Sequence, residues 1–243
     1  MSSTILHQSG IVPSEAEAPD EAAVEEKNPF LVRLGERVRA LRARRGMTRK
    51  AVALAADVSE RHLANLEYGP QVALIGLRGA GKSTLGAMLA EDLGFPFVEL
   101  SREIEKFAGC SISEIQALYG QNAYRRYERR ALEEAIQIYP EAVIATPGGI
   151  VSDPANFNLL LQHCTTVWLQ ADPEDHMKRV VAQGDTRPMA ASREAMDDLK
   201  QILAGRAAFY SKAEFRLDTS AAPLQPTFQA LRGIVRQALT LPT

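Results

Sequence analysis

The chain has 243 residues, a formal net charge of −2 and 46% hydrophobic residues, so it can bury the core of one medium-sized domain or of two small ones. It contains no apolar run long enough to span a membrane and no visible signal peptide, so we expect no membrane contact. Only Cys110 and Cys164 are present, which argues against a disulfide framework and favours a reducing, cytoplasmic location.

The charge is distributed unevenly along the chain. Residues 1–28 contain six acidic residues and one lysine with little hydrophobic periodicity, and we expect a disordered acidic tail there. Residues 29–70 contain nine basic and four acidic residues. A short basic block in a nearly neutral chain indicates a polyanionic partner.

Three short helical patterns follow one another in residues 29–70. Thr48 and Ser59 precede the second and third patterns and are good helix N-caps. Two helices joined by a tight turn are typical of a helix-turn-helix, whose second helix enters the major groove of DNA. Arg and Asn side chains suit guanine and adenine edges, although a solvated basic face is the simpler alternative. The residues predicted to contact operator DNA are Thr48, Arg49, Ser59, Glu60, Arg61, His62 and Asn65.

A phosphate-binding loop of the form G-x-x-x-x-G-K-[ST] runs from Gly76 to Ser83, between a predicted buried strand and a predicted helix. Such a loop turns its backbone N–H groups toward a phosphate at the positive end of the helix. Lys82 would contact the β- and γ-phosphates and the Ser83 hydroxyl would hold Mg²⁺, so we expect ATP and Mg²⁺ as cofactors. The residues expected to bind the nucleotide and its phosphates are Gly76, Arg78, Gly79, Gly81, Lys82, Ser83 and Thr84.

From Gln71 onward, predicted strands and helices alternate. We expect strands at 72–76, 96–100, 142–146, 165–170 and 214–218, and helices near 82–93, 101–108, 112–138, 154–163, 173–183, 192–211 and 225–240. Strands separated by helices indicate an α/β three-layer sandwich with a parallel sheet, whose ligands lie beyond the carboxyl ends of the strands. The predicted organisation is a tail (1–28), a short all-α helix-turn-helix (29–70) and a P-loop domain (71–243).

The P-loop domain resembles the shikimate kinases from residue 71 to about residue 240. Besides GLRGAGKS, the segments FVELSREIEKFAGCSISEIQALYGQNAYRRYE (97–128), ATPGGIV (145–151), GDTRPM (184–189) and GRAAFY (205–210) are similar to runs of that family in the same order. The resemblance implies a shikimate kinase-like fold, with Lys82 and Arg187 acting in catalysis if the domain is an active kinase. It implies that a substrate or effector contacts Ser101, Arg125, Gly148, Gly149, Arg187 and Arg206. Ion pairs with Glu128, Glu133 or Asp185 are the alternative role of these arginines.

Two positions depart from the shikimate kinase pattern. The Asp-x-Asp pair of active shikimate kinases is replaced by Glu99, Leu100 and Ser101, and Ser101 cannot act as a carboxylate base. Glu99 could still touch Mg²⁺ through water. The glycine run begins with Pro147, which removes one backbone N–H. The sequence therefore predicts a retained nucleotide site and a lost or altered acceptor site.

Residues 30–69 resemble the Cro/repressor-type helix-turn-helix of the XRE group, through the run LGERVRALRARRGMTRKAVALAADVSERHLANLEYG. Joined to a shikimate kinase-like domain, this module is similar to the benzoyl-CoA-responsive repressors of the BzdR/BoxR type. The resemblance implies operator DNA and an aromatic CoA thioester, most simply benzoyl-CoA, as partners of a homodimer. The two further helices that are usual in the Cro-type fold are missing after Gly69.

Three functions follow from these patterns. The leading interpretation is a transcriptional repressor of aromatic (benzoate) catabolism that releases DNA when its kinase-like domain binds benzoyl-CoA or a similar acyl-CoA. The alternative is an active shikimate kinase that converts ATP and shikimate to ADP and shikimate 3-phosphate, with Ser101 as the feature against it. A third is a remnant of a repressor that no longer binds DNA because its helical module is truncated.

Overall fold

Five parallel strands form the centre of the molecule, in the order β2-β3-β1-β4-β5. A computed structural model describes residues 29–182, 193–220 and 222–239; the predicted acidic tail at 1–28 lies outside them. The strands are β1 (Gln71–Ile75), β2 (Phe97–Glu99), β3 (Ala142–Ala145), β4 (Thr165–Gln170) and β5 (Phe215–Asp218). Each lies within two residues of a predicted strand, and the parallel pairing follows from the helices that separate them.

Helices precede the sheet and cover both of its faces. They are α1 (Pro29–Arg44), α2 (Arg49–Ala55), α3 (Glu60–Tyr68), α4 (Lys82–Leu93), α5 (Leu100–Ala108), α6 (Ile112–Glu114), α7 (Gly120–Ile138), α8 (Pro154–His163), α9 (Pro173–Ala182), α10 (Arg193–Tyr210) and α11 (Leu224–Ala238). In the described part of the chain, no helix is long and apolar enough to cross a membrane.

The two faces of the sheet pack into two separate apolar clusters. On one face, Ile144 and Trp168 of the strands contact buried residues of α5, α7 and α8, such as Leu132. On the other face, Leu74 and Val167 pack against α4 and α11. Strands β1 and β3 are buried at every position, as expected for central strands of a sheet with helices on both sides. The predicted three-layer α/β sandwich with a parallel sheet is confirmed.

The region 112–138 is not the single helix that the sequence predicts. Ser111 caps the short α6 through a reciprocal capping box, a π-helical turn covers Ile115–Tyr119, and α7 begins only at Gly120. Gly120 has a φ of 77°, a left-handed conformation that a regular helix cannot contain. π-Helical turns occur frequently at functional sites, and this one lies beside the cavity described below.

Helices α1, α2 and α3 form the predicted helical segment before the sheet. The Thr48 hydroxyl accepts a hydrogen bond from the Ala51 N–H at 3.1 Å, and the Ser59 hydroxyl accepts one from the His62 N–H at 3.0 Å, so both predicted N-caps are confirmed. Helix α1 crosses α3 so closely that a side chain at Gly35 would collide with the carbonyl oxygen of Leu66.

A buried ion pair joins α1 to α3. The Arg42 guanidinium donates to both oxygens of Glu67, at 2.6 and 2.9 Å, and the Glu67 side chain is fully buried. Its hydrogen bonds with Glu67 raise the pKa of Arg42. This bidentate geometry satisfies a carboxylate that would otherwise be costly to bury.

The three N-terminal helices dock onto the P-loop domain through α3, which packs against α8. The Arg49 guanidinium lies 2.8 and 3.0 Å from the two ring nitrogens of His163 at the end of α8, and Arg61 forms an ion pair with Glu214. Of the predicted DNA-reading residues on α3, only His62 lies on an exposed face. The Arg61 side chain is 30% exposed and lies beside Glu214 of the P-loop domain.

The apolar pattern of α1 is only partly buried. Leu31 is 53% exposed and Leu41 is 42% exposed, although the two lie at helical spacing. The three helices alone provide few residues to cover α1, and their buried apolar side chains are confined to α2 and α3.

Lowering the pH from 7 to 5 should destabilise the protein partly through His163. Burial, together with the charge of Arg49, lowers the pKa of His163 from 6.5 to about 4. Between these values the unfolded chain binds more protons than the folded chain, so this stability is present above pH 6.5 and is lost as the pH falls toward 4.

Thermal unfolding of variants tests this contribution. The His163→Asn variant should show a smaller fall in Tm between pH 7 and pH 5 than the unmodified protein. The His62→Asn variant, changed on the exposed side of α3, is the matched control and should behave like the unmodified protein. Equal pH dependence in all three proteins would contradict the role given to His163.

Candidate functional site

A cavity of about 610 Å³ lies where the carboxyl ends of β1, β2 and β3 meet. The P-loop after β1, the junction of β2 with α5, the α6–α7 region, the loop after β3 and α10 all contribute to its lining. The carboxyl edge of a parallel α/β sheet is the usual place for a ligand. Apart from Gly76, the predicted phosphate-binding and substrate-binding residues that are described line this cavity, while the predicted DNA-binding residues lie outside it.

The P-loop depends on glycine where it passes close to neighbouring backbone. Gly76 has a φ of 142°, and a side chain there would collide with the carbonyl oxygen of Leu169 on β4. Gly79 has a φ of 80°, and a Cβ atom there would lie 2.7 Å from the carbonyl oxygen of His176 on α9. The loop is therefore wedged between β4 and α9, with its backbone free to face a ligand.

Lys82 is the first residue of α4 and is buried in the P-loop. Its ammonium donates to the carbonyl oxygens of Gly76 at 2.9 Å and Leu77 at 3.0 Å. Burial lowers the pKa of Lys82 to about 8, against the opposing effect of the Glu99 carboxylate. The ammonium is therefore held near its own loop, where a phosphate could replace the two carbonyl oxygens as its partner.

A second cavity of about 330 Å³ extends from the P-loop toward α9 and α11. Gly81 and Thr84 line both cavities. Arg179 of α9 also lines the second one and donates to the Thr219 hydroxyl at 2.9 Å. The position of this cavity beside the phosphate loop suits the nucleoside part of a nucleotide.

His176 supports the P-loop from α9, a role that the sequence did not reveal. The side chain is 1% exposed, and its Nδ1–H donates to the carbonyl oxygen of Arg78 at 2.8 Å. Burial lowers the pKa of His176, so the neutral imidazole is favoured. No sequence signal could have shown this contact, because the partner is a backbone carbonyl about one hundred residues away.

Arg125 on α7 is held by a buried carboxylate. Its Nη1 donates to Glu128 Oε2 at 2.7 Å, and the Glu128 side chain is fully buried. The Tyr124 hydroxyl donates to the other oxygen of Glu128 at 3.0 Å, and burial raises the pKa of that hydroxyl. The proposed ion pair with Glu128 and contact with a ligand are therefore compatible, since Arg125 also lines the cavity.

Arg206 and Tyr210 on α10 both bond the glycine loop after β3. The Arg206 guanidinium and the Tyr210 hydroxyl donate to the carbonyl oxygen of Gly148, at 3.2 and 2.6 Å. The ring of Tyr210 stacks on Trp168 with centroids 5.6 Å apart. The Tyr210 side chain therefore lies between Trp168, the single tryptophan of the chain, and the glycine loop that lines the cavity.

The remaining predicted site residues divide between the cavity and the part of the chain that is not described. Ser83, Glu99, Ser101, Gly148 and Gly149 line the cavity. Ser101 lies in the first turn of α5, directly after the junction where β2 ends at Glu99. Arg187, also predicted to lie at the site, is outside the described residues.

The donors around the cavity fit a nucleotide with Mg²⁺ better than a metal held by the protein alone. Within the described ranges, no group of three or more His, Cys, Asp or Glu side chains could hold a metal ion. Ser83 and Glu99 offer one hydroxyl and one carboxylate in the same cavity. That sparse set is typical of Mg²⁺, which is bound through one or two protein ligands, phosphate oxygens and water.

Comparison with known proteins identifies the family of the domain. The family model of shikimate kinase matches residues 78–235. The shikimate kinase of Zymomonas mobilis is 36% identical over 68% of this chain and 92% of its own length, and that of Gloeobacter violaceus is 37% identical over the same shares. Shikimate kinases use ATP with Mg²⁺, so the two cofactors predicted from the P-loop are confirmed for this domain.

Solved structures agree with the sequence comparison. Shikimate kinase from Acinetobacter baumannii in complex with shikimate matches with a TM-score of 0.60 and 26% identity, over 70% of this chain and 93% of that chain. Shikimate kinase from Bacteroides thetaiotaomicron matches with a TM-score of 0.63 and 27% identity, over 71% and 99% of the two chains. The predicted shikimate kinase-like P-loop fold is thus confirmed.

The comparisons contradict the leading sequence-based function, a transcriptional repressor that senses benzoyl-CoA. The relatives are shikimate kinases across most of the P-loop domain, which favours the alternative of an active kinase. In the structure, Arg49 and Arg61, two of the predicted DNA contacts, bond to His163 and Glu214 of the P-loop domain. The resemblance of residues 30–69 to the XRE group, and the expected homodimer, stay predictions. The chain belongs to the shikimate kinase family.

Proposed function

We propose that the chain is an ATP-dependent kinase that transfers the γ-phosphoryl group of ATP to a hydroxyl of shikimate, in the cytoplasm, where ATP is available. One observation carries the proposal: a single cavity contains both the P-loop with Lys82 and the two arginines Arg125 and Arg206. The first set suits phosphates, and the planar guanidinium groups suit the carboxylate of a small acceptor. A shared cavity allows the acceptor hydroxyl to be held beside the phosphate chain.

The P-loop residues bind and orient the phosphate chain in this proposal. Bound ATP would supply the phosphoryl group, and Mg²⁺ would supply positive charge to its phosphates. Lys82 leaves the carbonyl oxygens of Gly76 and Leu77 and directs its ammonium toward the phosphates. The Ser83 hydroxyl offers a metal ligand at the start of α4, where the helix dipole also favours negative charge.

The transfer forms a bond between the acceptor oxygen and the γ-phosphorus and breaks the bond from that phosphorus to the β–γ bridging oxygen, which keeps the electron pair as ADP leaves. The acceptor hydroxyl must lose its proton. Ser101 can accept a hydrogen bond from that hydroxyl but cannot keep the proton, and the cavity offers the carboxylates of Glu99 and Glu105 to receive it.

Binding of the nucleotide should be coupled to a proton on Lys82. The pKa of the buried ammonium is about 8, so at pH 8 roughly half of the free protein carries this proton. Phosphates beside the ammonium favour the charged form, so binding should take up about half a proton at pH 8 and almost none at pH 6.5. Calorimetry of MgADP binding in buffers with different ionisation enthalpies measures this uptake. An equal uptake at the two pH values would contradict the assignment.

Replacing Ser101 by a carboxylate should speed phosphoryl transfer. A positioned general base contributes about 10²–10⁴-fold, so Ser101→Asp should raise kcat/KM for shikimate by about tenfold or more. A coupled assay of ADP release with product analysis measures the rate. The matched control is Ser113→Asp, which adds a carboxylate at another serine of the same cavity and should give no gain. A rate that Ser101→Asp leaves unchanged would show that the acceptor hydroxyl does not lie beside Ser101.

The same assay tests the proposed function itself. The unmodified protein should form phosphorylated shikimate, and Lys82→Met should lose nearly all of this activity. Lys106→Met is the control, because Lys106 is an exposed residue of α5 whose side chain is 74% accessible. The proposal would be wrong if the unmodified protein formed no product at saturating ATP and shikimate, or if Lys82→Met were as active as the control.

A further inference from the structure

We propose that Asn156 is a positioning residue that fixes Arg125 for binding the acceptor carboxylate. This inference rests on the proposed function, because it takes Arg125 as a ligand of the acceptor. Asn156 lies in the first turn of α8, soon after the glycine loop that lines the cavity, and its side chain is buried with 1% exposure. Asn156 does not itself line the cavity, so any effect on the acceptor must pass through its neighbours.

The Asn156 amide joins the backbone of Arg125 to the carboxylate that holds its guanidinium. Its Nδ2 donates to the Arg125 carbonyl oxygen at 3.2 Å and to Glu128 Oε2 at 3.0 Å. Glu128 Oε2 also accepts from Arg125 Nη1 at 2.7 Å, while Oε1 accepts from Tyr124. Both ends of Arg125 are thereby tied to one amide group, directly at the main chain and through Glu128 at the side chain.

The chemistry of this position requires an NH₂ group. The carbonyl oxygen of Arg125 and the Oε2 atom of Glu128 both accept here, so the residue between them must donate two hydrogen bonds. An aliphatic side chain would donate neither. An aspartate would place a second carboxylate about one hydrogen-bond length from Glu128, and two adjacent carboxylates share a proton and repel each other when it is lost.

The position of α8 connects the hydrogen bonds of Asn156 to the acceptor site. Arg125 lies against the glycine loop, because a Cβ atom on Gly149 would be 3.3 Å from Arg125 Nη2. That loop continues through a 3₁₀ turn at Ile150–Ser152 into α8, where the Asp153 carboxylate caps the helix by accepting from the N–H groups of residues 155 and 156. Asn156 therefore fixes α7, α8 and the glycine loop relative to one another. A guanidinium fixed in advance loses less conformational entropy when it binds a carboxylate.

A residue that only held α8 against α7 would give a different pattern of effects. Loss of packing would lower stability and would affect nucleotide and acceptor alike. A positioning role predicts that the KM for shikimate changes while the KM for MgATP does not. It also predicts that a carboxylate at residue 156 adds to the pH dependence of shikimate binding, because its repulsion of Glu128 depends on the shared proton.

The experiment compares Asn156→Leu and Asn156→Asp with the same two substitutions at Asn158, an exposed residue of the same helix. Steady-state kinetics give the KM for shikimate and for MgATP at several pH values. Fluorescence of Trp168, which stacks on the ring that bonds the Gly148 loop, gives shikimate binding without turnover. The fluorescence measurement also gives the fraction of folded protein, so a variant that folds poorly is still measured on its folded molecules.

Asn156→Leu should raise the KM and the Kd for shikimate by about tenfold, the scale of one lost hydrogen bond to a charged group, and leave the KM for MgATP unchanged. Asn156→Asp should bind shikimate nearly normally at low pH and progressively more weakly as the pH rises, more steeply than the unmodified protein. Both Asn158 variants should match the unmodified protein.

The results separate failure of this inference from failure of the proposed function. If the unmodified protein binds and phosphorylates shikimate but the Asn156 variants bind it equally well at every pH, the positioning role is wrong. The same conclusion holds if the KM for MgATP rises as much as that for shikimate. If the unmodified protein neither binds nor phosphorylates shikimate, the proposed function is wrong, and the positioning role is overturned with it.

Discussion

Positive charge held out of water at the carboxyl edge of the sheet is the constraint on which this structure depends. Lys82 is buried and donates to two backbone carbonyl oxygens, and Arg125 is largely buried beside Glu128. A buried charge is costly unless it is paired and hydrogen-bonded. The two cations meet this cost differently. Burial lowers the pKa of Lys82 to about 8, whereas Arg125 is paired with the Glu128 carboxylate, which accepts three hydrogen bonds. A ligand with a phosphate chain and a carboxylate would provide both with further anionic partners.

The sequence predicted the elements whose signals are local. Residue spacing and hydrophobic periodicity predicted the P-loop with its flanking strand and helix, the N-caps at Thr48 and Ser59, and all five strands. The predicted helix 112–138 was wrong because the π-helical turn before Gly120 depends on a backbone conformation that apolar spacing does not express. The cavity residues Arg125, Arg206 and Ser101 came from resemblance. Their supports, such as Asn156 and His176, were missed because their partners are distant in sequence.

The helical segment before the sheet shows how much of a basic block can be used in contacts within the same chain. A basic block predicted a polyanionic partner, and three of its arginines, Arg42, Arg49 and Arg61, contact Glu67, His163 and Glu214 of the same chain. Arginines on a short helix pattern suit phosphates and carboxylates equally well, so sequence alone could not distinguish an external partner from an internal one. The docking of α3 on α8 links this segment to the helix that carries Asn156, and so to the acceptor side of the cavity.

The account is tested most directly by a crystal structure of the protein with shikimate, ADP, Mg²⁺ and an unreactive mimic of the γ-phosphate. The shikimate carboxylate should bond to Arg125 and Arg206, with one ring hydroxyl near Ser101 and in line with the phosphate mimic, and Lys82 should have left the carbonyl oxygens of the P-loop. Shikimate bound elsewhere, or bound in this cavity with its carboxylate away from both arginines, would contradict the account.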